Sequence, residues 1–305
     1  MTGQFGVPVS QESDIGAERN GLAMVALAAV LWSTGGVIVR SLDTADVWTT
    51  VFWRSAFAAG FLIFFIALRD RRQAVRVFLD MGWPGLLVGL CFTTASISFV
   101  IALTLTSVAN TLVIFSTAPL FAALLGQVVL GEQVRRRSWL AMAAALSGVA
   151  IMMSDSFGGA SWAGDMLSFV IAVSLAVAIV TIRKHRHVRM TPAVCLGTML
   201  AGMIAAPLAQ PLSVSSVDFG LLAFFGAVQF GAGLALFTTG ARLAPAAKVA
   251  LLTVLEPILG PIWVWLVLAE HPGAAALIGG GIVLTALAVH MAMDMRKARP
   301  IPPAI

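Results

Sequence analysis

The chain has 305 residues, of which 59% are apolar and 11% charged, with a formal net charge of +5 and a mean hydropathy of +0.96. Soluble domains carry about 25% charged residues, so this composition excludes an ordinary soluble fold and predicts an integral membrane protein throughout. The basic residues sit in short clusters between apolar runs, which reads as a topology signal and leaves no place for nucleic acid as a partner.

Residues 1–20 are polar and mildly acidic and read as a tail with no cleavable signal. Ten apolar stretches follow, at 21–40, 48–68, 82–104, 107–130, 138–154, 165–182, 191–210, 218–240, 246–268 and 273–293, with 294–305 as a second tail. Most approach the length of about 20 residues that a helical span needs. They are too long and too evenly apolar for barrel strands of about 10 residues with alternating character. The expected fold is all-α, ten transmembrane helices, because helices alone then satisfy the backbone in lipid.

Cations fall on one side of that count. Arg69, Arg71, Arg72 and Arg76 follow the second span, Arg135, Arg136 and Arg137 the fourth, and Arg183, Lys184, Arg186 and Arg189 the sixth. Arg242 follows the eighth, and Arg296, Lys297 and Arg299 the tenth. The other loops hold Asp43, Asp46, Asp155, Asp165, Asp218 and Glu270, with Arg40 as the cationic exception. Both termini are therefore expected in the cytoplasm.

The chain also repeats itself. Residues 107–132 align without a gap with 245–270, pairing Ala109 with Ala247, Pro119 with Pro257, and Glu132 with Glu270. A weaker match pairs Gly21 through Arg40 with Gly164 through Arg183. The halves are expected at 21–154 and 163–293. Five spans each would make the second enter the membrane from the opposite side, placing Glu132 and Glu270 on opposite faces. Inverted halves are the structural basis of alternating access around a midplane site, which a channel or a membrane enzyme does not need. Gly85 and Gly89, and Gly279 to Gly281, are expected to let helices approach closely.

Glu256 is the sharpest candidate for function, since an ionised side chain at mid-span costs roughly 2.5–3.5 kcal/mol on insertion scales. It reads as facing a cavity, where it binds a substrate ammonium or takes up a proton; alternatively it caps backbone loosened by Pro257 or pairs with a base. Its repeat counterpart, Ala118, is uncharged, so the symmetry does not demand it. Arg54 lies about 6 residues, roughly 9 Å, inside its span and reads as a contact for a substrate carboxylate or as a partner of Glu256. Lys248 is about 3 residues from its span end and can snorkel to the interface. Charges of both signs around one cavity would suit a zwitterion.

Uncharged candidates are Thr94 and Ser98, Asn110 and Thr117, and Thr253, at spacings that share a helix face, together with Gln229. The hydroxyls can instead bond their own helix backbone. Trp32, beside Ser33 and Gly35, is the candidate aromatic wall, whereas Trp48, Trp83, Trp139 and Trp162 read as interfacial anchors. Cys91 and Cys195 are isolated packing residues, and His185, His187, His271 and His290 lack metal-ligand spacing. No metal and no cofactor is expected. The absence of a Walker loop, HExxH and GxSxG disfavours ATP drive and a membrane-embedded enzyme.

LWSTGG at 31–36, FWRSAFAAG at 52–60, the segment 107–132 with its APLF and LGE, and LLTVLEPILGP at 251–261 resemble the two EamA repeats of the drug/metabolite transporter superfamily. The resemblance spans nearly all of 20–292. It implies a ten-helix carrier of the bacterial inner membrane that exports small metabolites, foremost neutral or aromatic amino acids. An efflux carrier for drugs or other metabolites is the alternative.

Overall fold

The computed structural model describes residues 9–43, 46–71, 74–131, 136–154, 160–185, 188–244 and 246–297. Arg72, Glu132, Arg135, Asp155, Arg186, His187 and Arg299 lie outside the described residues, so the expected placement of Glu132 opposite Glu270 is not addressed by it. Among the described residues the chain is helical, with no strand.

Span one is α1 (Val9–Ser33) continued, after a break at Thr34, by α2 (Gly35–Arg40). Span two is α3 (Val47–Asp70), followed by a short helix, α4 (Ala74–Asp80), that the apolar pattern did not reveal. Span three is α5 (Gly82–Leu105), and span four is split into α6 (Val108–Phe115) and α7 (Ala118–Leu130). α8 (Arg136–Ser154), α9 (Ala160–Lys184) and α10 (Thr191–Ala205) are spans five to seven. Span eight is α11 (Ser216–Ala223), a π-helical stretch (Phe224–Ala232) and α12 (Gly233–Gly240). Span nine is split into α13 (Ala246–Thr253) and α14 (Leu255–Leu268), and span ten is α15 (Ala274–Lys297). Six of these helical spans are long and apolar enough to cross a membrane by length and composition; Trp139–Ser154, Thr191–Ala205, Leu255–Leu268 and Ala274–His290 are shorter apolar helices.

The internal repeat is carried into the backbone. α6 ends at Phe115 and α13 at Thr253, which are aligned positions, and in each span a proline, Pro119 or Pro257, follows within four residues. Proline supplies no amide and disfavours helix in the residue before it, so each span is interrupted just upstream. The second pieces end alike, with Gly131 and Ala269 both in the left-handed region at φ 68° and 55°. Gly131 takes that conformation without strain, whereas Ala269 takes it at the cost of a Cβ clash. At the first break the Ser116 and Thr117 hydroxyls donate to the carbonyls of Val113 and Ile114 at 2.7 and 2.6 Å, satisfying acceptors that the interruption releases.

Packing follows the same two-fold logic. Span three lies along six and span one along eight; span seven contacts three as span two contacts eight; four packs on six as nine packs on one. Spans two and seven, and five and ten, pair with their own counterparts. Backbones come close where side chains are absent: a Cβ on Gly148 would stand 2.6 Å from the Gly279 carbonyl oxygen, and one on Gly197 2.6 Å from that of Gly89. Outward, large apolar side chains are exposed, among them Leu140 at 73%, Met203 at 67% and Leu266 at 66%, as a surface solvated by lipid requires.

The largest buried cluster fills one half of the thickness. It joins Ile38, Val39, Val51, Phe99, Val100, Leu103, Val108, Leu112, Leu222, Phe225 and Val264, which come from spans one, two, three, four, eight and nine. Leu112 packs directly against Gly260, where any Cβ would collide with it, so the split spans seal this half against each other.

Two predictions follow from these contacts. Gly279→Leu, which forces α8 and α15 apart, should lower the melting temperature in detergent by about 5 °C or more and reduce monodisperse yield, as read by size-exclusion chromatography and thermal unfolding. Gly281→Leu, whose Cβ meets nothing within 4 Å, should leave both unchanged. The second concerns Asp46, the N-cap of α3, which accepts from the amides of Trp48 and Thr49 at 2.8 and 3.0 Å and from the Thr49 hydroxyl at 2.6 Å. Partial burial pushes its carboxyl up, but the hydrogen bonds from Thr49 and Trp48 outweigh that and hold it below its ordinary value. A depressed carboxyl contributes stability above the ordinary carboxylate range that is lost as pH falls through the lowered value. Asp46→Ala should therefore cost about 1 kcal/mol near neutrality and show a smaller further loss on acidification than the parent protein.

Candidate functional site

A cavity of about 720 Å³ occupies the half not filled by the main core. Its floor is built where the split spans break. Phe115, Ser116, Ala118 and Pro119 contribute from span four, and Thr253, Val254, Glu256 and Pro257 from span nine. Glu256 sits in the first turn of α14, where the amides of a half-helix favour negative charge. Its counterpart on the opposite wall is the methyl of Ala118, so the carboxylate is a feature of one half alone. Among the described residues no cation forms an ion pair with Glu256.

Aromatic and aliphatic side chains make the walls: Trp32, Phe65, Phe92, Phe237, Leu175 and Leu234. Trp32 packs on Phe237 with ring centroids 5.2 Å apart, and its indole Nε1 is buried with no hydrogen-bond partner. At the mouth stand Arg69, Arg183, Arg189 and Arg242, the arginines expected to mark the cytoplasmic face. Among the described lining residues these arginines are joined by one carboxylate, that of Glu256.

The opposite end is closed. Arg40 at the end of span one pairs with Glu270 after span nine, Nε to Oε2 at 3.3 Å, and donates from Nη2 to the Thr106 carbonyl at 2.9 Å. Behind that pair, the buried Asp165 carboxylate accepts from the Thr106 hydroxyl at 2.7 Å and from the Asn110 amide at 3.1 and 3.2 Å. Deeper still, the Trp263 indole donates to the Ser33 hydroxyl at 3.0 Å, tying span nine to the break in span one.

Of the residues singled out by sequence, the structure brings Trp32, Thr253 and Glu256 to this cavity. The others lie elsewhere. Lys248 is exposed and donates to Glu18 at 2.7 Å, tethering α13 to α1. Thr94 faces outward and is exposed, while Ser98, one turn further along the same face of α5, is buried. Asn110 belongs to the closed end, and Thr117 bonds its own helix. Gln229 is buried in the π-helical stretch and donates from Nε2 to the Trp32 carbonyl at 2.9 Å, an acceptor freed by the break at Thr34.

Arg54 is absent from this cavity's lining and is packed instead in an enclosure of aromatic rings, the Arg54 chamber. It is 5% exposed, and its guanidinium carbon lies 4.6, 4.7 and 5.7 Å from the ring centres of Phe225, Phe230 and Phe99. Nη1 donates to the Ser96 hydroxyl at 2.6 Å, whereas Nε is buried without a partner. Among the described residues no carboxylate pairs with it, so the expected bond to Glu256 is not formed in this conformation. Three ring contacts at about 0.5–2 kcal/mol each are what stabilise the charge in place of a counter-ion.

Sequence reasoning overlooked Ser96, one turn from both Phe92 and Val100 on the inner face of α5, and chose Thr94 and Ser98 instead. Nothing in the apolar pattern of span three distinguishes these faces. The mouth arginines were noticed only as orientation signals.

Thr238→Cys at the cavity wall should react with a maleimide at least about tenfold faster than Thr111→Cys in the closed half, which is 0% exposed. The native Cys91 and Cys195 are both buried and should stay silent.

Comparison with known proteins agrees with the architecture. Residues 19–154 and 162–292 each match the model of the EamA-like transporter family. The chain is 25% identical over 283 residues to the pseudopaline exporter CntI of Pseudomonas aeruginosa, covering 88% of this chain and 94% of that protein. It is 27% identical over 273 residues to an uncharacterized transporter of Archaeoglobus fulgidus, covering 89% and 96%. A solved crystal structure of a protein superposes with a TM-score of 0.66 at 17% identity, covering 92% of this chain and 99% of that one, which shows the shared fold.

Proposed function

The chain belongs to the EamA-like transporter family of metabolite transporters, and from that premise we propose that it exports a small zwitterionic metabolite, foremost a neutral or aromatic amino acid, by alternating access. The observation that carries this reading is the unpaired Glu256, set at the break of span nine and lining the cavity. Discontinuous helices at corresponding places in two halves are where secondary transporters bind their cargo. A cargo ammonium meets the carboxylate, and the aromatic wall of Trp32 and Phe237 takes an apolar side chain.

In this reading residues 21–154 and 163–293 are inverted repeats, the arginine-ringed mouth faces the cytoplasm, and both termini lie on that side of the inner membrane. The conformation is then inward-open, with the Arg40–Glu270 pair as the external latch. A relative named as an exporter supports an outward direction of transport. Binding and release of a proton at Glu256 would let transport draw on the proton gradient, since cargo ammonium and proton compete for one carboxylate. A second reading, efflux of a lipophilic cation, is favoured by the same carboxylate among aromatic rings; the mouth arginines oppose it.

Counterflow in proteoliposomes tests the proposal. Labelled L-phenylalanine should exchange against unlabelled, and Glu256→Gln should lower the rate at least about tenfold at normal membrane expression. Undiminished exchange in Glu256→Gln would remove the carboxylate from the mechanism. The latch is tested by charge reversal: Arg40→Glu alone should slow exchange, and adding Glu270→Arg should recover part of the loss, because an exposed pair is worth only about 0–1 kcal/mol.

A further inference from the structure

We propose that the Arg54 chamber is the second half of the cargo site, a carboxylate-binding pocket sealed off from the open cavity in this conformation by the Trp32–Gln229 partition. The inference rests on the transporter reading of the Glu256 cavity and adds to it a place for the other end of the cargo.

Trp32 lines the open cavity with its ring, while its carbonyl accepts the Gln229 amide at 2.9 Å. Gln229 in turn approaches the aromatic lining of the Arg54 chamber: a Cβ placed on Gly35 would lie 3.0 Å from Gln229 Nε2, 3.5 Å from the Phe225 ring and 3.5 Å from the Phe99 ring. Phe225 and Phe99 are two of the three rings around the Arg54 guanidinium. Trp32 and Gln229 therefore link the cavity to the rings around Arg54 by a chain of contacts, beside the break in span one at Thr34.

The chemistry of the chamber selects its ligand. Its guanidinium spends one nitrogen on Ser96 and leaves the Nε edge buried without a partner. A planar fork with a free edge matches a carboxylate in bidentate geometry, which a lysine or a hydroxyl could not offer. The lining of Phe99, Phe225 and Phe230 keeps water away and leaves the charge unneutralised until such a group arrives. Glu256 and Arg54 thus present opposite charges, one lining the cavity and one outside it, linked through Trp32 and Gln229. An α-amino acid, with ammonium and carboxylate on one carbon, or a longer molecule carrying both, is bound at Glu256 first and reaches Arg54 when the partition opens.

The test uses the full-length protein in proteoliposomes with two substrates of similar shape, L-phenylalanine and 2-phenylethylamine, which lacks the carboxylate. The parent protein should exchange phenylalanine at least about tenfold faster than the amine, because a site built to bind a group rejects the analogue without it. Arg54→Gln should bring phenylalanine down to the rate of the amine and leave the amine unchanged. Equal loss of both would mark Arg54 as a structural residue and overturn the inference, as would undiminished preference for phenylalanine. Should Arg54→Gln fail to fold, Arg54→Lys and Ser96→Ala are read in the same assay. A selective rise in KM for phenylalanine in either supports the pocket; parental selectivity and KM in both overturns it. If the parent protein exchanges neither compound, the proposed cargo class fails and the pocket with it, whereas exchange of phenylalanine indifferent to Arg54 defeats the pocket alone.

Discussion

Inside hydrocarbon every amide and carbonyl must find a partner within the protein, and this single constraint organises the molecule. A span that runs unbroken meets it automatically. A span that breaks does not, so its loose ends must face other protein or a polar cavity. Spans four and nine break at aligned places, span one breaks at Thr34, and span eight widens into a π-helical stretch. All four irregularities converge on the same middle layer. The hydroxyls of Ser116 and Thr117 and the amide of Gln229 are there because freed carbonyls need them.

Charge then follows irregularity. Glu256 and Arg54 are both expensive inside a membrane, yet they are stabilised by different means. The carboxylate has the amides of a half-helix and access to an open cavity. The guanidinium has only aromatic faces and one hydroxyl. The two opposite charges are not joined to each other, which leaves each available as a salt bridge between them would not. At the closed end the reverse holds: Arg40 and Glu270 are joined, and Asp165 is saturated by Thr106 and Asn110.

The helical fold was legible in the sequence, because twenty-residue apolar runs have one solution in lipid and the arginine clusters punctuate them, although α1 begins at Val9, well before the expected start at 21. The split of span nine was legible in part, through Pro257 beside Glu256. That of span four required the repeat. What stayed hidden depends on which face of a uniformly apolar helix points inward. Ser96 rather than Thr94 or Ser98 touches Arg54, and no periodicity separates them when leucine, valine and phenylalanine lie on every side. Lys248 illustrates the converse: its partner, Glu18, comes from a stretch that composition alone marks as a tail, and only the helical continuation of α1 brings it near.

The contact between Gly148 and Gly279 has a mechanical corollary. At that one point the backbones of α8 and α15 meet directly, with the Val283 and Met152 side chains packed beside it, so any change of side-chain size there is felt by the whole pair. Spans five and ten are also a self-paired couple under exchange of the halves. Such a seam behaves as a fulcrum, and the helix ends farthest from it sweep the longest arcs.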